Sequence, residues 1–322
     1  MNKEYVVLSL FDGMSGGFES LKRSGVKVKK YYASEIDKHA ITIAKKNHPE
    51  IIHLGNILNW KDWDIDWSKI DLLIAGSPCQ GFSKAGLGLN FDDPRSKLFF
   101  EFVEIRNYIY SLNPKLLWLL ENVKMKKEYE KVISDYMSVE PIRINSKLVS
   151  AGLRDRFYWT NIEGFEYPKD REILLESILQ DGDVDKDKGY CIDAHYFKGT
   201  NPKQYLTKSR RQIVWQIPEG TKKGFVELSP GQCINLTFIK SKTRRGRLRL
   251  EKSNCITAAN YNYCKVTKDW FRLLTPIECE RIMTFPDNYT EGVSNTQRYK
   301  MLGNGWNIET IMLFFKNLEV SK

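Results

Sequence analysis

Cys79 stands in the run Asp71-Leu72-Leu73-Ile74-Ala75-Gly76-Ser77-Pro78-Cys79-Gln80-Gly81-Phe82-Ser83. An apolar run after an Asp reads as a buried strand, and Gly76, Ser77 and Pro78 end it. The thiol is therefore expected at a strand's carboxyl end, the edge at which open α/β sheets bind ligands. A thiolate there can act as a nucleophile. Glu121 follows the next strand-like run, Leu116-Leu117-Trp118-Leu119-Leu120, and is placed to assist it. Most free thiols are buried structural residues, and it is the surroundings of Cys79 that favour chemistry.

A second constellation points to a ligand. Phe11-Asp12-Gly13-Met14-Ser15-Gly16-Gly17 follows the first strand candidate and opens the first helix candidate. Glycines there permit a tight turn and close approach of backbone to ligand. The run is not G-x-G-x-x-G, so a pyrophosphate cradle is weakly supported and a ligand without phosphates fits as well. Glu35 lies at the end of the second strand candidate, where a carboxylate can accept hydrogen bonds from both ribose hydroxyls. The ordered pair is expected to hold a nucleoside-containing cofactor, and Ile36 adjoins it.

These residues need a scaffold. Strands are expected over Tyr5–Leu10, Lys30–Ser34, Asp71–Ala75 and Lys115–Leu120, with helices over Gly16–Arg23, Asp37–Asn47 and about Ser96–Ser111. The alternation predicts a parallel, doubly wound sheet with helices on both faces. After Asn161 the periodicity weakens, and residues 162–268 read as a second, smaller, irregular or β-rich domain. Regularity returns at Thr275-Pro276-Ile277-Glu278, where Thr275 can cap a helix and Glu278 complete a capping box. A last helix is expected over Ile308–Leu318. The catalytic domain is thus residues 1–161 with 269–322.

The 322 residues are 42% apolar, enough for a core without disulfides. Neither zinc nor a disulfide framework is suggested by six cysteines without C-x-x-C spacing and four histidines. Asp181, Asp183, Asp185 and Asp187 alternate like a calcium loop but lack its Gly and Glu, so no metal is expected. No leader or membrane span is apparent, and a reducing cytoplasm is the expected compartment. From Lys198 to Lys252 there are 14 Lys or Arg against three Glu and no Asp. That excess outweighs the whole chain's net +10, which leaves the remainder near neutral. So concentrated an excess is expected to meet phosphates.

The chain resembles the DNA cytosine-5 methyltransferases over nearly its full length. The blocks Phe11–Gly17, Glu35, Gly76-Ser77-Pro78-Cys79-Gln80, Glu121-Asn122-Val123, Arg154-Asp155-Arg156 and Gly303-Asn304-Gly305-Trp306 stand in that family's order. Ser9–Gly13, Ala33–Glu35 and Gly305-Trp306 look most like the vertebrate de novo branch. No reader domains precede the catalytic part, which suggests a bacterial or phage enzyme.

The resemblance implies a Rossmann-like methyltransferase sheet with a target-recognition domain, and S-adenosylmethionine as methyl donor. Phe11 would lie against the adenine and Glu35 at the ribose, with Asn56 and Ile57 at the adenine edge. Asp12, Gly13, Ser15, Gly16, Gly17, Ile36 and Pro78 would complete the donor site, and Asn304, Gly305 and Trp306 would close over its methionine end. Leu98 would line the pocket, although core packing explains Leu98 and Trp306 as well.

It also implies that Cys79 adds to C6 of a flipped cytosine, that Glu121 meets N3 and the exocyclic amine, and that Arg156 holds O2. Arg154 would support the loop or a nearby phosphate. Gln80 and Ser83, in a glycine-rich loop, would close over duplex DNA. Lys240, Lys242, Arg244, Arg245, Arg247 and Arg249 would meet its phosphates or read guanine edges. A cognate restriction endonuclease is the partner such an enzyme would have.

Where the family often has Gln, two residues before the first Arg, this chain has Gly152, as the de novo branch also lacks that Gln. Transfer-RNA-directed relatives usually carry Cys-Phe-Thr after the R-x-R block. Here the residues are Phe157-Tyr158-Trp159-Thr160, which favours DNA over RNA. A non-catalytic DNA-binding subunit should have lost Cys79 or Glu121. A nicotinamide dehydrogenase would leave Pro78-Cys79-Gln80 and the basic stretch unexplained.

Overall fold

The computed structural model of the chain describes residues 3–77, 94–200, 202–219, 221–223, 225–226, 232–233, 249–250 and 271–318. Seven strands form one sheet: β1 (Glu4–Leu10), β2 (Lys27–Ser34), β3 (Ile52–His53), β4 (Leu72–Gly76), β5 (Leu117–Val123), β6 (Ile142–Asn145) and β7 (Asp155–Thr160). Their spatial order is β3-β2-β1-β4-β5-β7-β6. The first five run parallel, joined in sequence by α1 (Gly16–Arg23), α2 (Lys38–Asn47) and α3 (Pro94–Leu112). Order reverses at β1 and β4, and ligand sites in open sheets lie at such a switch point.

β7 runs antiparallel to β5, and β6 antiparallel to β7, so the sheet is mixed rather than wholly parallel. The connection through α4 (Lys127–Met137) is followed by a β6–β7 hairpin, which turns β7 round. The same pairing lengthens β5. Its ladder with β7 continues through Glu121↔Tyr158 to Val123↔Arg156, three residues past the apolar run that the sequence offered.

Strand alternation builds two cores, as a sheet covered on both faces requires. Leu8, Leu10, Leu73, Ala75 and Leu120 face one way, against Phe99, Phe102, Ile105 and Ile109 of α3 and Ile133 of α4. Val7, Ala33, Ile74 and Leu119 face the other, against Phe18 and Leu21 of α1 and the C-terminal helix.

The second half is less regular. It contains α5 (Pro202–Lys208) and the short strands β8 (Ile213–Trp215), β9 (Ile217–Pro218), β10 (Phe225–Val226), β11 (Gln232–Cys233), β12 (Arg249–Leu250) and β13 (Phe271–Leu273). They pair antiparallel as β9–β10, β11–β12 and β8–β13. Then come α6 (Pro276–Ile282), α7 (Asn295–Asn304) and α8 (Ile308–Phe315). α6 begins as its sequence predicts, with Thr275 and Glu278 completing a capping box and Pro276 at the first turn. A third core joins Leu175, Ile192, Tyr196 and Val214 to Leu274, Ile282 and Leu302, so residues 175–214 pack directly on the returning helices.

Candidate active site

The turn after β1 has an unusual backbone. Phe11, Gly13 and Ser15 all have positive φ, at 57°, 59° and 63°. Only Gly13 adopts this without a side-chain penalty, so the surroundings must hold the other two. They do so through Asp12. Its carboxylate accepts from the hydroxyls of Ser15 and Tyr31, the latter at 2.7 Å, and its N–H donates to Ser34 O at 3.1 Å. Burial pushes the Asp12 carboxyl up to about 6, against the pull of these hydrogen bonds. Behind the turn, the Tyr289 hydroxyl donates to Met14 O at 2.9 Å and lies 3.0 Å from His48 Nε2. The helix then opens on two glycines. A Cβ on Gly17 would stand 2.5 Å from Ile74 Cδ1 and 2.8 Å from the Tyr31 hydroxyl, so any side chain there would displace both.

Glu35 ends one residue past β2 and folds back on the turn. Its Oε2 accepts from Gly13 N–H at 2.8 Å, and its Oε1 from Ile36 and Asp37 N–H at 2.7 and 2.8 Å. The carboxylate is thereby fixed, and Oε2 keeps a lone pair for a further donor. Asp37 caps α2 through His39 N–H, as its sequence predicts, and binds Lys300 of α7 at 2.7 Å. Asn56 caps a short turn through Leu58 N–H.

The strand ends supply the other wall. Asn122 is buried and donates to the Ser77 hydroxyl at 2.9 Å, tying the end of β5 to the residue after β4. Glu121 is 7% exposed and held from two sides. Arg156 Nε lies 2.9 Å from its Oε1, and Trp306 Nε1 donates to its Oε2 at 3.2 Å. Arg154 is turned differently. It is buried, and donates to Gly303 O at 3.2 Å and Gly305 O at 2.6 Å, closing the carboxyl end of α7. Burial depresses the pKa of its guanidinium, with the Arg156 charge adding to the effect.

These elements enclose a cavity of about 420 Å³. Of the residues singled out from sequence, Phe11, Asp12, Gly13, Gly16, Gly17, Glu35, Ile36, Asn56 and Ile57 line it, with Leu98, Glu121, Arg154, Arg156, Asn304, Gly305 and Trp306. Leu98 and Trp306 also pack against the two sheet cores, so for each the cavity and core readings both hold. Ser15 is not on the wall; it is buried beneath, bonded to Asp12. Sequence reasoning missed Met14, Asp37, Ser77, Asn122, Phe285 and Lys300, all of which line the cavity. Met14, Ser77 and Asn122 lay inside the motifs already marked; Phe285 and Lys300 arrive from distant helices and left no local signal.

Pro78, Cys79, Gln80 and Ser83 lie outside the described residues, as do Lys240, Lys242, Arg244, Arg245 and Arg247. Arg249 falls in β12, opposite Cys233. Gly152 has a steric reason, since a Cβ there would stand 2.4 Å from Ile282 Cγ2 of α6. The acidic run is structural where it is engaged: Asp181 binds Arg272 at 2.6 Å and Asp185 accepts from the Tyr205 hydroxyl at 2.6 Å. Among the described residues, no helix is long and apolar enough to cross a membrane.

A cavity of this size suits a small-molecule ligand. The glycine opening of α1 offers backbone for close approach, and Glu35 a fixed acceptor. Comparison with known proteins gives the family. The sequence model of the C-5 cytosine-specific DNA methylase family matches residues 5–138 and 145–319. The chain is 31% identical to the type II methyltransferase M1.ScrFI of Lactococcus lactis subsp. cremoris, over 96% of this chain and 76% of that protein. It is 25% identical to the type II methyltransferase M.HhaI of Haemophilus parahaemolyticus, over 97% and 93%. Among solved structures, the Entamoeba histolytica methyltransferase EhMeth superposes with a TM-score of 0.60 at 19% identity, covering 98% of both chains. The S. pombe Dnmt2 methyltransferase gives 0.55 at 16%, again covering 98% of both; likenesses this remote bear on the fold alone. The chain belongs to the C-5 cytosine-specific DNA methylase family, and its enzyme class is DNA cytosine-5 methyltransferase.

Proposed function

We propose that the protein transfers a methyl group from S-adenosylmethionine to C5 of a cytosine flipped out of duplex DNA, through a covalent bond to Cys79. The observation that carries the reading is Glu121, clamped by Arg156 and Trp306 on the wall of the cavity, beside the β4 end that leads to Pro78-Cys79. A carboxylate so held can meet the N3 and amine edge of a base. S-adenosylmethionine, when bound, supplies the methyl group as an electrophile. Phe11, Glu35, Ile36 and Asn56 would hold its nucleoside end, and the Gly303–Trp306 segment its amino-acid end.

Cytosine C5 is a poor nucleophile. The Cys79 thiolate adds to C6, a carbon–sulfur bond forms, and electron density moves onto C5 and the N3–O2 side of the ring. Glu121 stabilises that density through a proton it shares with N3, and Arg156 through a hydrogen bond to O2. C5 would take the methyl carbon as the donor's sulfur–methyl bond breaks with its electron pair left on sulfur; loss of the C5 proton to water and expulsion of Cys79 as thiolate then restore the ring. A stacked base cannot reach such a pocket, so the nucleotide must leave the helix. Residues 162–268, which contain the basic stretch 198–252, are the proposed DNA-reading domain, and a restriction endonuclease the proposed genetic partner.

Radiolabelled donor offered with DNA and with RNA tests the substrate, and bisulfite sequencing of plasmid from expressing cells gives the methylated word. Cys79→Ala is expected to abolish transfer while donor binding stays measurable. A Cys79→Ala protein retaining more than a few per cent of activity sinks the assignment of the nucleophile. Label entering RNA but not DNA overturns the substrate.

A further inference from the structure

One of the two contacts that hold Glu121 comes from the donor wall of the cavity. Trp306 reaches from the α7–α8 junction across the opening between α1 and β4, and its indole N–H donates to Glu121 Oε2 at 3.2 Å. Two glycines make room for it. A Cβ on Gly76 would stand 2.7 Å from Trp306 Nε1, and one on Gly17 would stand 3.4 Å from Cζ3 of the same ring. The backbone on both sides of Trp306 is pinned. Arg154 holds Gly305 O at 2.6 Å. Asn307 caps α8 through Thr310 N–H at 3.1 Å and donates to Ile282 O at 3.0 Å.

We infer that Trp306 is a positioning residue for Glu121, in addition to being a wall of the donor site. The inference rests on the function proposed above. The terminal torsion of a Glu carboxylate is broad and roughly two-fold. The Arg156 guanidinium meets Oε1 as an ion pair, its Nε at 2.9 Å, and a charge contact of this kind leaves the carboxylate plane free to swing about it. The directional indole hydrogen bond on the other oxygen fixes the plane. Because that donor is a neutral indole, it orients Glu121 without placing a second positive charge where the base must bind. Each oxygen still keeps a free site, so one can accept from the amine of the base while the other carries the proton shared with N3. Trp306 therefore joins the donor wall to the group that meets the substrate edge, and misorientation of Glu121 should cost turnover rather than donor affinity.

The test is a double-mutant cycle. Trp306→Phe keeps an aromatic wall and removes the N–H. It is expected to lower kcat by about 10- to 100-fold, while the donor Kd, measured by titration calorimetry, changes by less than about threefold. In a Glu121→Gln background the same substitution should cost less than about twofold in kcat, because the group it positions is already compromised. Gly76→Ala, which leaves the indole chemically intact but displaces it, should reproduce both results. Donor titration reports the folded fraction of every variant. Trp306→Phe with wild-type kcat, or costs that multiply in the double variant, overturns the inference. A wild-type protein that methylates no cytosine in DNA overturns the proposed function instead.

Discussion

Arg154 and Arg156 are two residues apart and line the same cavity, yet they have different tasks. Arg156 faces Glu121, whereas Arg154 is sealed against the carbonyls of Gly303 and Gly305. By residue type and spacing the two cations are equal, since the α7 carbonyls come from about 150 residues away, and it is the family resemblance that assigns them different tasks. Removing the Arg154 guanidinium leaves two buried acceptors without their donor. Arg154→Met is therefore expected to lower stability by about 2–4 kcal/mol in urea denaturation, and to weaken donor binding through the freed Gly303–Trp306 segment. Arg156→Met is expected to cost less stability and more turnover, since it strips Glu121 of its charged partner. Equal losses of stability in the two variants would show that Arg154 has no such bracing role.

At the scale of elements, the turn after β1 and the segment behind it carry opposite buried titrations. Burial raises Asp12 from 3.8 to about 6, and lowers His48 from 6.5 to about 4. His48 is 2% exposed and packs against Phe18 and Tyr289. A carboxyl that is raised on folding contributes stability below its unfolded pKa, and that contribution is lost as pH rises through about 6. A lowered histidine contributes stability above its unfolded pKa, and loses it as pH falls through about 4. The two trends oppose each other between pH 4 and 6.5 and should largely cancel, each worth up to about 3 kcal/mol. Asp12→Asn is expected to unmask the histidine, so that stability rises with pH across this window; His48→Phe should reverse the slope. Parallel profiles for wild type and both variants would remove these two groups from the pH response. Much of this level was legible beforehand. The α1 span, the Asp37 cap, the Thr275–Glu278 capping box and the strand ends that deliver Glu35 and Glu121 follow from local pattern. The antiparallel β7 did not, because its direction is set by the β6–β7 hairpin and not by its own residues. Tyr31 and Tyr289 belong to none of the sequence motifs, and the resemblance sets Trp306 at the donor's methionine end; only the fold brings their polar atoms to Asp12, Met14 and Glu121.

At the scale of the whole molecule, charge is divided between two functions. The cavity mixes signs, with Glu35, Asp37 and Glu121 set against Arg154, Arg156 and Lys300, while residues 198–252 carry an excess that outweighs the chain's net charge of +10. If that stretch grips DNA, affinity should fall steeply with salt. Each neutralised phosphate contact contributes a slope of about 0.9 in log affinity against log salt. A phosphate-contacting Lys, tried first at Lys240 and Lys242, should on replacement by Ala weaken all sequences alike and flatten the slope by about one unit. A base-reading Arg behaves differently, since its loss costs about 1–3 kcal/mol on the true site and relaxes the methylated word at a single position. At least one of Arg244, Arg245, Arg247 and Arg249 is expected to act in this second way. The six basic residues from Lys240 to Arg249 crowd ten positions, which is dense enough to follow a groove. Salt-titrated binding and bisulfite sequencing of DNA modified by each Ala variant separate the two behaviours. Four Arg variants that weaken binding without shifting the word would move sequence reading elsewhere in residues 162–268 and leave this stretch as a phosphate grip.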